Sequence, residues 1–295
     1  MTNEEMTTRM ETGQGFIAAL DQSGGSTPKA LQGYGIEDSA WGSEEEMYAL
    51  IHEMRSRIIK SPSFSNGKVI GAILFAKTMN SLVDGVPTPQ ALRDRGIVPF
   101  LKVDKGLEDE ADGVQLMKPI PDLDAQCDRA VELGVFGTKM RSVIHLADPS
   151  GIKAVVDQQF AFGRQILGHG LVPIIEPEVN IKSPERAAAE AILLSELGAA
   201  LDAMAGPERV MLKLSIPVVP NLYAPLIEHP RVLRVVALSG GFSTDEACER
   251  LADNKGMIAS FSRGLLQDLR ADLSDAQFDS VLGAAIDQIQ AASVT

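Results

Sequence analysis

Eight short apolar runs recur along the chain: Gly15 to Leu20, Lys68 to Phe75, Val98 to Val103, Phe136 to Met140, Leu171 to Val179, Arg209 to Ile216, Val232 to Ser239 and Met257 to Ser262. Each has the length of a strand, and longer stretches with apolar residues at helical spacing lie between them. Strands alternating with helices predict βαβ units and a parallel sheet. Eight such units in 295 residues predict an α/β fold, a closed (β/α)8 TIM barrel occupying 1–295 as a single domain with extra terminal helices. A doubly wound open sheet is the alternative. Helix starts are legible at Thr88-Pro89, Asp148-Pro149 and Ser183-Pro184-Glu185, and capping boxes at Ser243 with Glu246 and at Ser274 with Gln277. The last of these opens a helix carrying Phe278, Val281, Leu282, Ala285, Ile286 and Ile289 at helical spacing. It lies beyond the eighth strand, so it should pack on the outside of the barrel.

Composition narrows the function. A formal net charge of −13 repels nucleic-acid backbones and anionic membranes, which leaves a small molecule as the expected partner. The two cysteines, Cys127 and Cys248, have neither metal-ligand spacing nor a disulfide framework. No apolar run approaches a membrane span, and Met1 to Thr12 is polar, so a soluble cytoplasmic protein is expected. The four histidines are scattered, which disfavours a metal site. There is no nucleophile elbow, P-loop or dinucleotide fingerprint, so no cofactor is expected.

Chemistry in a barrel of this kind sits at the C-terminal ends of the strands. Within the sixth run, the stretch Val210 to Ile216 carries a single lysine, Lys213, among apolar neighbours. An ammonium buried there must find a carboxylate or give up its proton, and an unprotonated lysine is a nucleophile suited to Schiff-base formation with a carbonyl. A lysine that snorkels from the strand end, or sits in a structural ion pair, is the plainer reading. Its company argues for more. Asp21 ends the first run, and three pairs at i, i+2 spacing end others: Lys102 with Asp104, Lys139 with Arg141, Glu176 with Glu178. That spacing puts both members of a pair on one face of a strand. Any one pair can be an ordinary rim salt bridge; together they predict an ionic cluster around Lys213. The turn Ser239-Gly240-Gly241 precedes the helix capped by Ser243, and Arg263 follows the eighth run, as in barrel phosphate sites built after strands seven and eight. A second turn, Ser23-Gly24-Gly25-Ser26 with Lys29 nearby, is a candidate for another anion.

These segments, from about Gly15 to Gln267, resemble in order those of the class I, Schiff-base fructose-bisphosphate aldolases in their shorter bacterial form. Ala19-Leu20-Asp21-Gln22-Ser23 is similar to the family's first-strand segment, and Leu101-Lys102-Val103-Asp104-Lys105-Gly106 to its third. Lys139-Met140-Arg141, Pro173-Ile174-Ile175-Glu176-Pro177-Glu178, Met211-Leu212-Lys213, Leu238-Ser239-Gly240-Gly241 and Phe261-Ser262-Arg263-Gly264 follow in register. The resemblance implies metal-independent, reversible cleavage of fructose 1,6-bisphosphate to dihydroxyacetone phosphate and glyceraldehyde 3-phosphate, in glycolysis and gluconeogenesis. It implies Lys213 as the Schiff-base lysine, Glu176 as proton shuttle, Asp21 at the C4 hydroxyl and Lys139 as electrostatic support, with Glu178 orienting Lys213 and Lys139. Lys102 and Arg141 would tune this network or touch substrate. Ser239, Gly240, Gly241, Ser262 and Arg263 would hold one phosphate, and Ser23 and Ser26 would lie at the other end of the substrate. Relatives are often oligomeric, so a homo-oligomer is possible. The chain departs from the animal relatives in placing Arg263 directly after Ser262, Gln22 where they have an acid, and Ala30 where they have a second basic residue; it also lacks their terminal tyrosine. Other Schiff-base barrel lyases, a non-catalytic phosphosugar-binding barrel and a metal-dependent aldolase are the competing readings.

Overall fold

A computed structural model describes residues 1–295. Each of the eight runs contains a strand: β1 (Phe16–Leu20), β2 (Val69–Leu74), β3 (Val98–Lys102), β4 (Gly137–Ile144), β5 (Val172–Val179), β6 (Val210–Ser215), β7 (Val232–Leu238) and β8 (Ile258–Ala259). They pair in chain order, all parallel, from β1 round to β8. Closure of the ring is thin. A single backbone hydrogen bond, Ala19 N to Phe261 O at 3.3 Å, spans β8 and β1.

The barrel is a (β/α)8 barrel in which alternation along each strand sorts the side chains. Ile17, Val98, Phe100, Ile174, Met211, Val236 and Ile258 belong to an inner apolar cluster, while their sequence neighbours join the larger cluster between strands and helices. Two residues further along the same inward face, Phe100 gives way to Lys102, Ile174 to Glu176 and Met211 to Lys213. The lower barrel is therefore a packed core and its upper rim is ionic. Gly137 has no room for a side chain, because a Cβ there would lie 2.1 Å from Val172 O and 3.0 Å from the Phe100 ring.

The polar segment before β1 is a helix, Asn3–Thr12, with a capping box between Thr2 and Glu5. Its two buried residues, Met6 and Met10, are four apart, share one face, and stopper the bottom of the barrel within the inner cluster. Arg234 of β7 donates to Met10 O at 2.9 Å and Gly13 O at 2.7 Å, satisfying carbonyls at the helix end.

Several boundaries differ from the sequence pattern. β4 continues to Ile144, where it pairs antiparallel with Val114–Gln115. The last run yields a two-residue strand, and Ser293 Oγ of the C-terminal helical segment accepts from Ala259 N at 3.0 Å, meeting a need that a longer ladder would otherwise meet. Thr88 starts a helix rather than capping it, its hydroxyl donating to Ser81 O at 2.9 Å. Ser183 accepts from Glu185 N, and the helix proper begins at Arg186. Asp148 caps the helix Pro149–Gly168, and the Ser274–Gln277 box opens Asp275–Ala292, which buries Phe278, Leu282, Ile286 and Ile289.

Candidate active site

Four strands deliver one chain of charges to the mouth of the barrel. Asp21 follows β1, Lys139 lies on β4, Glu176 on β5 and Lys213 on β6. Lys139 Nζ is 2.9 Å from Asp21 Oδ2 and 2.9 Å from Glu176 Oε2, and Glu176 Oε1 is 3.2 Å from Lys213 Nζ. All four residues are buried. Two ammonium groups and two carboxylates balance, which is what lets so many charges leave water together, since an unpaired one costs several kcal/mol.

The two lysines are held differently. Burial by itself disfavours the Lys139 ammonium, but Asp21 and Glu176 outweigh it and raise its pKa above the ordinary lysine value. Burial likewise disfavours the Asp21 carboxylate, and Lys139, then Lys213, overcome this and hold it well below the usual carboxylate range. Lys139 is thus a fixed cation between two anions. Lys213 touches one carboxylate, at the longer distance.

Two further ionic pairs stand apart from this chain. Lys102 Nζ lies 2.7 Å from Asp104 Oδ1 and also donates to Asp104 O at 3.0 Å. Glu178, expected beside Lys213 and Lys139, instead accepts from Arg141 Nη1 at 3.0 Å, and the charges of Glu178 and then Glu176 raise the Arg141 pKa against the cost of burial. Gly240 and Gly241, with φ of +60° and +120°, form the turn after β7. A Cβ on Gly240 would meet Ile181 Cγ2 at 2.6 Å, and one on Gly241 would stand 3.5 Å from Arg263 Nη2. The turns after β7 and β8 therefore face each other across a gap edged by half-buried Ser239 and Ser262 and by exposed Arg263. The Ser23–Ser26 turn is self-contained: the Ser26 hydroxyl accepts from Ser23 N at 2.9 Å and donates to Ser23 O at 2.8 Å.

Two polar residues on helices support the site and escaped the sequence reading. Gln159, fully buried on Pro149–Gly168, accepts from Glu176 N at 2.8 Å and donates to Ser142 Oγ at 3.0 Å. It holds the Glu176 amide on the side that faces β4, so it fixes the backbone of the central carboxylate. Arg55, fully buried on Glu44–Lys60, donates to Gln22 and Thr78. The available signal was position. Arg55 sits between Ile51 and Ile59, and Gln159 between Val155 and Gly163, each polar on an otherwise apolar stripe.

A parallel eight-stranded barrel with a buried Lys–Glu–Lys–Asp chain at its C-terminal rim defines a barrel enzyme of the lysine-dependent kind. The sequence model for the family described as fructose-bisphosphate aldolase class-I matches residues 3–196. A fructose-bisphosphate aldolase class 1 from Porphyromonas gingivalis is 57% identical over 293 residues, covering 99% of either chain. Among solved structures, a fructose-bisphosphate aldolase from Plasmodium falciparum superposes with a TM-score of 0.75 at 20% identity, over 99% of this chain and 94% of that one, which shows the shared fold. The chain belongs to the class I fructose-bisphosphate aldolases, carbon–carbon lyases that work without a metal ion.

Proposed function

We propose that the buried chain at the barrel mouth is the catalytic apparatus and that it cleaves fructose 1,6-bisphosphate through an imine on Lys213. The observation that carries this reading is Glu176, which bridges Lys213 at 3.2 Å and Lys139 at 2.9 Å. Lys213 passes its ammonium proton to Glu176 and, as the neutral amine, adds to the C2 ketone, one nitrogen proton moving to the oxygen as the carbinolamine forms. Glu176 then delivers the proton it took to the carbinolamine hydroxyl, and loss of water gives the iminium. Asp21 takes the C4 hydroxyl proton, the C3–C4 bond breaks, and its electron pair flows into the iminium, leaving an enamine and free glyceraldehyde 3-phosphate. Protonation at C3 and addition of water then release dihydroxyacetone phosphate and restore the amine. Lys139 stays charged throughout and steadies both carboxylates. Glu178 acts at one remove, by fixing Arg141. Ser239, Gly240, Gly241, Ser262 and Arg263 hold a phosphate; Ser23, Ser26, Lys102 and Arg141 border the remainder of the substrate.

The chain works as one domain spanning 1–295, in the cytoplasm, where its buried free thiols Cys127 and Cys248 would stay reduced. A homo-oligomer is consistent with this reading.

Borohydride reduction in the presence of dihydroxyacetone phosphate tests it. A mass increment on the peptide carrying Lys213 is the expected result. An increment on another lysine, or none, would overturn the assignment.

A further inference from the structure

Among the buried charged residues, Arg55 alone makes no ion pair. The guanidinium of Arg55 is spent on neutral acceptors: Nη1 donates to Thr78 Oγ1 at 2.7 Å, and Nη2 to Gln22 O and to Gln22 Oε1, the latter at 3.2 Å. Arginine has donors only, so it obliges the Gln22 side chain to turn its oxygen inward. The amide nitrogen then faces the opposite way, where it donates to Ala19 O at 3.1 Å and to the hydroxyl oxygen of Ser262. Ala19 O is an acceptor, which demands the same orientation from the other side. A serine hydroxyl that accepts from an amide keeps its own proton free, and Ser262 is half exposed at the gap beside Arg263 and the turn after β7.

We propose that Arg55 and Gln22 are positioning residues that polarise Ser262, making its hydroxyl a committed hydrogen-bond donor to a substrate phosphate. This rests on the reading of Ser262 as a phosphate contact. The chain of donors starts on a group that cannot accept and ends on an anion, so its direction is fixed along its length. It also explains why an amide stands at position 22. A carboxylate there would pair with Arg55 but has no proton to give; Ser262 would turn its own proton toward it and away from the phosphate, and Ala19 O would lose its donor. The same links join the turns after β1, β2 and β8 where the backbone ladder is weakest.

The test compares Gln22→Glu, Gln22→Met, Ser262→Ala and the Gln22→Met/Ser262→Ala pair for KM and kcat with fructose 1,6-bisphosphate, for inhibition by inorganic phosphate, and for Tm. Ser262→Ala and Gln22→Glu should each raise KM and the phosphate inhibition constant on the order of tenfold, the scale of one hydrogen bond to a charged group. Gln22→Met should shift both constants the same way, with kcat within about threefold of wild type. The double variant should be no worse than Ser262→Ala alone, because both changes break one chain. If Ser262→Ala leaves both constants unchanged, the phosphate role of Ser262 falls and the relay with it. If Ser262→Ala raises them while the Gln22 variants do not, or the two effects multiply, the relay alone falls. A lowered Tm with unchanged constants in the Gln22 variants would make Gln22 structural only, against the proposal. Arg55→Met, where it folds, should reproduce the Gln22→Met shift; the Gln22 variants decide the matter if it does not.

Discussion

The two sides of the barrel mouth are built by different means. On the β4–β5 side, eight consecutive residue pairs run from Gly137 with Val172 to Ile144 with Val179, and this ladder carries Lys139 and Glu176, with Gln159 holding the Glu176 amide. On the β8–β1 side one backbone bond closes the ring, and the connection is made by side chains: Gln22 to Ser262, Arg55 to Gln22 and Thr78, Ser293 to Ala259. Of the proposed bond-making groups, Lys139, Glu176 and Lys213 lie on or beside the laddered side, while Asp21 and the proposed phosphate contacts Ser262 and Arg263 lie at the seam. A ladder gives a frame that does not yield, which a proton shuttle needs. A seam held by side chains leaves turns whose hydrogen-bond polarity the sequence can set residue by residue.

Lys213→Met should separate chemistry from frame most sharply. Cleavage should fall by at least about a thousandfold, with borohydride labelling abolished, because the proposed nucleophile is gone. Circular dichroism should remain native, since an unbranched apolar chain fills the same space; an unfolded variant would mean that the lysine is chiefly structural. Gly137→Ala attacks the laddered side directly. Its methyl group would meet the Val172 carbonyl, so denaturant melts should show a loss of about 3 kcal/mol, the upper end for overpacking. A loss below about 1 kcal/mol would show that the ladder yields easily.

Acid titration probes the bond between the two sides. The folded pKa of Asp21 is depressed, so its contribution to stability is complete above the unfolded value near 4 and is lost as pH falls toward the folded value. Lys139 is raised, so its contribution is complete below about 10.5 and is lost only as pH climbs past that. Wild-type Tm should therefore fall as pH drops below about 4, and Asp21→Asn should flatten that decline. Parallel curves would mean that the pair adds no net stability. At the seam, Ser293→Ala removes the acceptor for Ala259 N and should cost about 1 kcal/mol, or roughly 2 °C in Tm, with kcat unaltered.

The strands carrying Asp21, Lys139, Glu176 and Lys213 were legible because they combine two strong local signals, an apolar run and a charge at its C-terminal end. What stayed hidden depends on contacts that local patterns do not encode. Met6 and Met10 are the only buried residues of a polar helix, and their burial depends on a barrel floor far away in sequence. β8 reads as long as its neighbours, yet it ends after Ala259 because the C-terminal helix supplies the partner that a ladder would have given. Arg55 and Gln159 lie within amphipathic helices, where one polar residue on the inner stripe is easily taken for noise. The i, i+2 spacing puts Glu178 on the face of Glu176, but the face alone does not choose between Lys139, Lys213 and Arg141 as its partner.

Because Lys139 is shared by Asp21 and Glu176, the two carboxylates are not electrically independent. Neutralising Asp21 changes the pull of the common ammonium on Glu176, so the acid limb of an activity curve reports the trio and cannot be assigned to a single side chain. Under the proposed mechanism, a substitution made at one end to silence the cleavage step will also retune the hydration and dehydration steps at the other. Kinetic dissection of this enzyme will therefore need isotope effects on individual bonds as well as variant rates.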